Sequence, residues 1–268
     1  MMKKKALFNK VNKLELKKLL EEESFDRITA SFYRYIKIDE PNTFRDHLYD
    51  EWHKLKVFGR VYIAKEGINA QISVPDHNWE AFIMQLNRIE ELTDMHIKKA
   101  LQDGPSFYKL IIKVREELVA YGVPKESYDM DHVGKHLSTN EYNKALEDPD
   151  AIVVDMRNYY ESEIGRFENA LIPDVETSKE LLPEVKRLLK GKEKNNVLLY
   201  CTGGIRCEKA SSYLIKNGFQ NVNQLQGGII QYAHDVKEKD MISRFKGKNF
   251  VFDDRLGDRV TDDILASC

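Results

Sequence analysis

The stretch NVLLYCTGGIRCEKASSYL, residues 196–214, joins an apolar run to a helical pattern through two adjacent glycines. The run at 196–201 shows no polar alternation, which is typical of a strand buried in a parallel sheet. In such sheets functional groups gather at the carboxyl ends of the strands, and Cys201 stands at such an end. Cys201 is therefore either a nucleophile on an anion-binding loop or a buried thiol beside a tight turn.

Strands and helices alternate through the rest of the C-terminal half. Apolar runs predict a buried strand at 151–157 and a short strand within 221–233 that is followed by a turn at Gly227 and Gly228. Helical spacing predicts helices at 137–148, 178–190 with a break at Pro183, and 208–219, which ends at Gly218. This alternation indicates an α/β domain with a parallel sheet. The charged final stretch, 245–268, is expected to be irregular apart from one short strand.

The N-terminal half has a different order of elements. An amphipathic helix is predicted at 11–23. The elements that follow are strands at 28–38, 57–64, 68–74, 94–100 and 107–115, with helices at 40–55 and at 76–89, the latter starting on a capping Asp76. The order β-α-β-β-α-β predicts a ferredoxin-like α+β domain. We divide the chain into a helical lead-in at 1–24, a ferredoxin-like domain at 25–122, an α/β domain at 123–240 and a tail segment at 241–268.

Bulk composition sets limits on the class of protein. The 268 residues have 42% hydrophobic content, 32% charged content, a net charge of −2 and a pI near 6.4, values typical of a globular protein with no overall nucleic-acid signature. No apolar run approaches a membrane span, and the basic N-terminus lacks the apolar stretch of a secretory signal. We therefore expect a cytoplasmic protein whose three cysteines are free thiols. The basic clusters at Lys3–Lys5, Lys98–Lys99 and Lys109–Arg115 are interpreted as solvated surface.

The loop after Cys201 has the features of an anion cradle. Gly203 and Gly204 free backbone N–H groups to turn toward one point, and the following helix adds its positive N-terminal dipole. Arg206 adds a fixed cation with a planar set of donors. The predicted cradle comprises Thr202, Gly203, Gly204, Ile205 and Arg206. Together these groups favour a thiolate or persulfide on Cys201.

The spacing within this loop separates two chemistries. Cysteine phosphatases place five residues between cysteine and arginine to surround a phosphate, whereas only four, Thr202 to Ile205, intervene here. The shorter loop suits a sulfur atom, so a phosphatase is disfavoured.

Other candidate residues have simpler interpretations. Cys207 could resolve an oxidised Cys201, but packing against the sheet is the favoured interpretation. Asp155 and Arg157 could assist chemistry, although an ion pair at the strand end is preferred. The remaining candidates are Glu161 and Glu163, expected to face solvent, and His132 and His136, which have the spacing of a helical metal pair but no completing ligand. No nucleotide-binding motif, metal site or cofactor is indicated.

The quoted motifs resemble a known family. IVVDMRNYYESEIGRFENALIP, CTGGIR and GFQNVNQLQGGIIQY place residues 137–233 among rhodanese-like domains. Together with KEGINAQIS and FVFDDR, the loop YCTGGIRCEKAS resembles one subfamily, in which an acylphosphatase-like domain precedes the rhodanese.

That subfamily comprises tRNA uridine hydroxylases, which form 5-hydroxyuridine at the wobble position with molecular oxygen. The resemblance implies that Cys201 is the essential persulfide-forming cysteine, that the partner is the anticodon arm of tRNA, and that Lys65 on the KEG turn contacts phosphate. Family members commonly continue into a cysteine-rich tail, whereas this sequence ends at Cys268, so we expect either that the tail segment 241–268 is truncated or that this member lacks the cysteine-rich tail. A rhodanese-type sulfurtransferase that uses the same persulfide, and a non-catalytic binding module, remain alternatives.

Overall fold

The structure, a computed structural model, describes residues 12–265. Its residues cluster into two compact units, one ending at Leu118 and including Asp253–Arg255, the other comprising the remainder from Val119 onward. The basic N-terminal cluster at Lys3–Lys5 and the last cysteine, Cys268, lie outside the described residues. The domain boundaries drawn from the sequence stay predictions.

The first unit is built on a five-stranded sheet. In chain order its elements are α1 (Lys13–Glu21), β1 (Arg27–Tyr35), α2 (Pro41–Lys54), β2 (Phe58–Ala64), β3 (Gly67–Pro75), α3 (Trp79–Asn87), β4 (Lys98–Lys99) and β5 (Leu110–Val114). The strand order is β4-β1-β3-β2-β5, so four antiparallel strands interleave in the ferredoxin-like order. The fifth strand, β5, adds to the edge in parallel with β2. The predicted ferredoxin-like fold is confirmed.

One face of this sheet forms the core of the unit. The inward residues of the central strand β3 are the apolar set Ile68, Ala70, Ile72 and Val74, all fully buried. They pack with aromatic rings from the two helices, among them Trp52 of α2 and Phe82 of α3, whose ring centroids are 5.5 Å apart. Because side chains alternate along a strand, the residues between them point to the opposite face. The strand patterns thus explain why both helices lie on one side.

The second unit contains a parallel sheet. Its elements are β6 (Lys135–Leu137), α4 (Thr139–Ala145), β7 (Ile152–Asp155), α5 (Tyr159–Glu163), β8 (Gly165–Phe167), α6 (Ser178–Leu188), β9 (Asn196–Tyr200), α7 (Ile205–Lys216), β10 (Asn221–Leu225), α8 (Gly228–Glu238), β11 (Phe245–Phe250) and β12 (Gly257–Arg259). The parallel strands run in the order β6-β10-β9-β7. Strand β9 is an inner strand of this sheet. Its carboxyl end therefore lies in the middle of the edge at which the parallel strands end. The predicted parallel α/β sheet is confirmed.

Three features of the second unit differ from the prediction. Helix α6 continues through Pro183 without a break. Proline removes one backbone N–H from the helix, and this cost is smaller than the stabilisation from burying Leu181, Leu182 and Val185 on the inner face of α6. Gly227 lies in the predicted turn, but Gly228 is already the first residue of α8, a helix that the sequence did not predict. The C-terminal stretch is not irregular with one strand: β11 and β12 form a three-stranded antiparallel sheet with β8.

Two helix starts also differ from the prediction. Asp76 does not cap α3, because its carboxylate accepts the N–H of the next residue, His77, in a 3₁₀ turn. Helix α7 begins at Ile205, three residues earlier than expected, since Gly204 takes a φ of +103° at its N-cap. The earlier start brings the helix N-terminus next to Cys201.

Candidate active site

Cys201 follows β9 directly and is fully buried. Its Sγ accepts a hydrogen bond from the backbone N–H of Gly204 at 3.1 Å. The positive φ of Gly204 is what turns this N–H back toward the sulfur. A Cβ added to Gly203 would have no neighbour within 4 Å. The loop thus closes around the sulfur on one side and borders open space at Gly203.

Helix α8 holds the carbonyl groups of the same loop. The N–H of Ile229 donates to the carbonyl oxygen of Cys201 at 3.0 Å, and the N–H of Ile230 donates to that of Thr202 at 3.2 Å. A Cβ on Gly228 would lie 2.6 Å from the Cys201 carbonyl oxygen, so only glycine permits this approach. Helix α8 thus holds the loop in place while the N–H of Gly204 faces the sulfur.

Arg206 is bound to a buried glutamate. Its Nη1 and Nη2 donate to the two carboxylate oxygens of Glu161 at 2.6 and 2.9 Å, and Nη2 also donates to Thr202 Oγ1 at 3.0 Å. The expectation that Glu161 faces solvent is wrong, since it is fully buried, whereas Glu163 is exposed. Glu161 also accepts the N–H of Asn158 as a capping box for α5, and this capping fixes the carboxylate toward the loop.

The sequence contains a signal for Glu161. Asn158 and Glu161 have the spacing of a capping box, which predicts a helix start with an inward-turned carboxylate. The pairing with Arg206 has no local signal, because the two residues are 45 positions apart.

The surroundings of Cys201 stabilise its thiolate. Burial raises the pKa of the Cys201 thiol, but a hydrogen bond from the Cys207 thiol, the Arg206 charge and the N–H groups of Gly204 and Arg206 outweigh it and lower the pKa to about 5. The pKa of Cys207 is raised well above its usual value, first by burial and then by its bond and proximity to Cys201. Cys207 therefore stays protonated and donates to the ionised Cys201.

A segment before the parallel sheet also contacts the loop region. The hydroxyl of Tyr121 donates to the Arg206 carbonyl oxygen at 2.9 Å, and burial raises the pKa of this phenol well above its usual value. The fully buried Lys209 of α7 donates to the Val119 carbonyl oxygen at 3.0 Å. Tyr121 and Lys209 therefore hold the first turns of α7 in place. The sequence analysis singled out neither residue.

Asp155 and Arg157 form the expected ion pair, and it is completely buried. Arg157 Nε lies 2.8 Å from Asp155 Oδ1 and its Nη2 lies 2.6 Å from Oδ2. The same Nη2 donates to the Gly165 carbonyl oxygen, and the Tyr200 hydroxyl donates to Asp155. These contacts join the end of β7 to β8 and β9, which is a structural arrangement.

The other predicted site residues lie elsewhere. Lys65 is exposed at the turn between β2 and β3 of the first unit. His132 and His136 are not on a helix: each contacts one carboxylate, that of Asp129 at 2.7 Å and that of Glu208 at 2.8 Å respectively. Residues 12–265 contain no group of three or more side chains arranged to hold a metal ion. Within the same residues, no helix has the length and apolar character to cross a membrane.

Comparison with protein families gives a match for each unit. Residues 27–118 match the UPF0176 acylphosphatase-like domain, and residues 138–235 match the rhodanese-like domain. Among solved structures, a rhodanese-like domain protein from Staphylococcus aureus is 26% identical, with a TM-score of 0.30, over 37% of this chain and 90% of that one.

Relatives with known names cover almost the whole chain. The tRNA uridine(34) hydroxylase of Leptospira interrogans is 51% identical over 99% of this chain and 73% of its own length. The tRNA uridine(34) hydroxylase of Photorhabdus laumondii is 48% identical over 98% of this chain and 75% of its own length. Both domains are therefore present in the order that the sequence predicts.

Proposed function

The chain belongs to the tRNA uridine(34) hydroxylase family, and from this membership we propose that it converts uridine 34 of tRNA to 5-hydroxyuridine with molecular oxygen. The observation that carries the proposal is the 51% identity to a named hydroxylase over 99% of the chain. The reaction replaces the C5 hydrogen of uracil by a hydroxyl group, and the second oxygen atom leaves as water when two electrons and two protons are supplied. The proposal places the protein in the cytoplasm, where Cys201 and Cys207 stay reduced.

We assign the essential role to the thiolate of Cys201. A pKa of about 5 keeps this sulfur ionised at neutral pH. The N–H of Gly204 and the charge of Arg206 stabilise negative charge on the sulfur or on a sulfur atom attached to it. Glu161 and Thr202 hold the guanidinium of Arg206 in place, so the cation does not need to reorient when the sulfur reacts.

Nucleoside mass spectrometry tests the assignment. We expect tRNA from cells that lack this protein to lose 5-hydroxyuridine and its derivatives, and the wild-type chain to restore them. Cys201→Ser is expected to restore none, because a hydroxyl is not ionised at neutral pH, while its circular dichroism stays close to that of the wild type. Full restoration by Cys201→Ser would remove the thiol from the mechanism.

A second candidate is sulfur transfer through a Cys201 persulfide. The rhodanese-like match over residues 138–235 and the N–H donor at Sγ favour it, since both suit a sulfur-bound anion. Thiosulfate-to-cyanide transfer at an ordinary enzymatic rate, with tRNA nucleosides unchanged, would support this candidate against the hydroxylase. The same experiment tests the binding-module alternative, which predicts neither activity.

A further inference from the structure

The first unit carries a row of aromatic, amide and basic residues across its sheet. Pairing of the strands aligns Tyr33 of β1 with Asn69 of β3, Asn69 with Tyr62 of β2, and Tyr62 with Lys113 of β5. Because alternate residues of a strand share a face, all four lie on the face opposite the helices α2 and α3. One strand separates the two tyrosines, so they stand about 10 Å apart.

Cations accompany both rings of the row. Lys98 Nζ lies 4.9 Å from the ring centroid of Tyr33, and the Arg115 guanidinium carbon lies 5.4 Å from that of Tyr62. The N–H of Arg115 donates to the Ile63 carbonyl oxygen, which fixes Arg115 at the end of β5 beside β2. Both Lys113 and Arg115 are exposed, while Tyr62 is half-buried. An aromatic face and two accessible cations therefore meet at one edge of the sheet.

The strand residues of this face include no acidic side chain, although the chain as a whole is slightly acidic. The net charge of the protein is −2. Strand alternation and register place on the face, within the described strands, Arg27, Thr29, Ser31, Tyr33, Tyr35, Phe58, Arg60, Tyr62, Ala64, Gly67, Asn69, Gln71, Ser73, Pro75, Lys98, Ile111 and Lys113. None of these residues is acidic, and four of them are lysine or arginine. Of these four, Arg27 is ion-paired with Glu23 and Lys98 is buried, whereas Lys113 is exposed. The exposed charge at the Lys113 edge of the face is complementary to phosphate.

We propose that Tyr62, Lys113 and Arg115 form a contact surface for unpaired nucleotides of the tRNA substrate, a proposal that rests on the proposed function. Tyrosine rings on a sheet stack on unpaired bases, and neighbouring lysine and arginine side chains bind the phosphates between them. Nucleotides of the anticodon loop are unpaired and can stack in this way, whereas a duplex hides its base faces. The exposed Lys65, next to Ala64 at the same end of the sheet as Arg115, extends the surface toward a further phosphate.

Binding of an anticodon stem–loop RNA to the full chain tests the surface. The double variant Lys113→Ala/Arg115→Ala should lower the slope of log Kd against log salt concentration by about 1.4, since each phosphate contact to a single strand contributes about 0.7. Tyr62→Ala should weaken binding by about 5- to 100-fold through loss of stacking, whereas Tyr62→Phe should bind like the wild type. A merely structural role for these residues would leave the salt slope unchanged.

A matched control removes the same charge from the helical side of the unit. Lys54 of α2 and Arg88 at the end of α3 are exposed, and Lys54→Ala/Arg88→Ala should keep the wild-type Kd and salt slope. The proposal is overturned if the Lys113/Arg115 pair behaves like this control, or if the wild type does not bind the RNA.

The test separates this proposal from the proposed function. Nucleoside mass spectrometry on the same variants reports 5-hydroxyuridine independently of the binding assay. If the wild type forms 5-hydroxyuridine and the surface variants bind as it does, only the surface is wrong. If the wild type forms none but binds RNA through Tyr62, Lys113 and Arg115, the surface stands and the hydroxylase assignment fails.

Discussion

Two loops of the parallel sheet each place an arginine beside a buried carboxylate, but the carboxylates come from different places. After β7, Arg157 pairs with Asp155, two residues away in the same loop. After β9, Arg206 pairs with Glu161, 45 residues away on α5. The first pair is local, and the second joins two loops across the edge of the sheet.

The consequences for the two arginines differ accordingly. Arg157 hydrogen-bonds to Asp155 and to the Gly165 carbonyl oxygen, so it connects strands and acts on the fold. Arg206 is held by Glu161 and Thr202 but still lowers the pKa of Cys201. The location of the carboxylate therefore determines the role of the arginine that follows a strand. Paired with a local carboxylate, the arginine stabilises the fold; paired with a distant one, it lowers the pKa of a neighbouring cysteine.

The largest expected effect concerns the local pair. Arg157→Met leaves Asp155 as an uncompensated buried charge, so urea denaturation should show a loss of about 3 to 5 kcal/mol in the free energy of unfolding of the second unit. The double variant Asp155→Leu/Arg157→Met should lose less, because no isolated charge remains. The exposed pair Glu184–Arg187 provides a control, and Arg187→Ala should change stability by no more than about 0.5 kcal/mol. Equal losses for Arg157→Met and Arg187→Ala would contradict the distinction between the loops.

A smaller effect concerns the Glu161–Arg206 pair, which joins the two loops. Its two variants should shift the pKa of Cys201 in opposite directions. Arg206→Ala removes a cation beside the sulfur and should raise the pKa of Cys201 by about 1 to 3 units. Glu161→Gln removes the nearby negative charge, keeps an amide oxygen for Arg206, and should lower the same pKa. Ultraviolet absorbance of the thiolate against pH measures both, with Cys201→Ser as the baseline. Shifts of the same sign would show that the pair acts only through the shape of the loop.

The smallest effect is the pH dependence of stability due to Cys201. Its pKa is about 5 in the folded protein and about 8.5 in an unfolded chain. Between these values the unfolded state binds more protons, so this contribution to stability increases as the pH rises and is lost as the pH falls through about 5.

Relative to Cys201→Ser, the folding equilibrium constant of the wild type should therefore increase by at most about tenfold per pH unit between about pH 6 and 8. Cys207, with its raised pKa, acts in the opposite direction only above the ordinary thiol range. Parallel pH profiles for the wild type and Cys201→Ser would show that the thiolate is not stabilised by the fold.

Periodicity was sufficient to predict the strands of the five-stranded sheet and strands β7, β9 and β10 of the parallel sheet, because a strand reveals its buried face through the spacing of its own residues. The alternation in β3 and the continuous apolar run of β9 are examples. The loop at Cys201 was also predictable, since its glycines and Arg206 lie within six residues of sequence.

The role of Glu161 was not predictable from local sequence, because its partner is brought near only by the packing of α5 against the loop. Helix α8 was missed for a related reason. Its two leading glycines are typical of a turn, although Ile229, Ile230 and Tyr232 have helical spacing and are buried. Tyr121 gave no signal, since its hydroxyl contacts a backbone carbonyl 85 residues away.

The division of the Cys201 loop between two helices has a consequence for reaction rate. The first turn of α8 binds the carbonyls of Cys201 and Thr202, and the Gly204 N–H at the start of α7 binds the sulfur. The dipoles of the loop are therefore oriented before any substrate arrives, and they need not rotate when charge on the sulfur appears or disappears. In water, solvent molecules would have to reorganise at each such step. A preoriented loop removes most of that reorganisation energy, and Gly228 permits it, because any side chain there would push the loop away from α8.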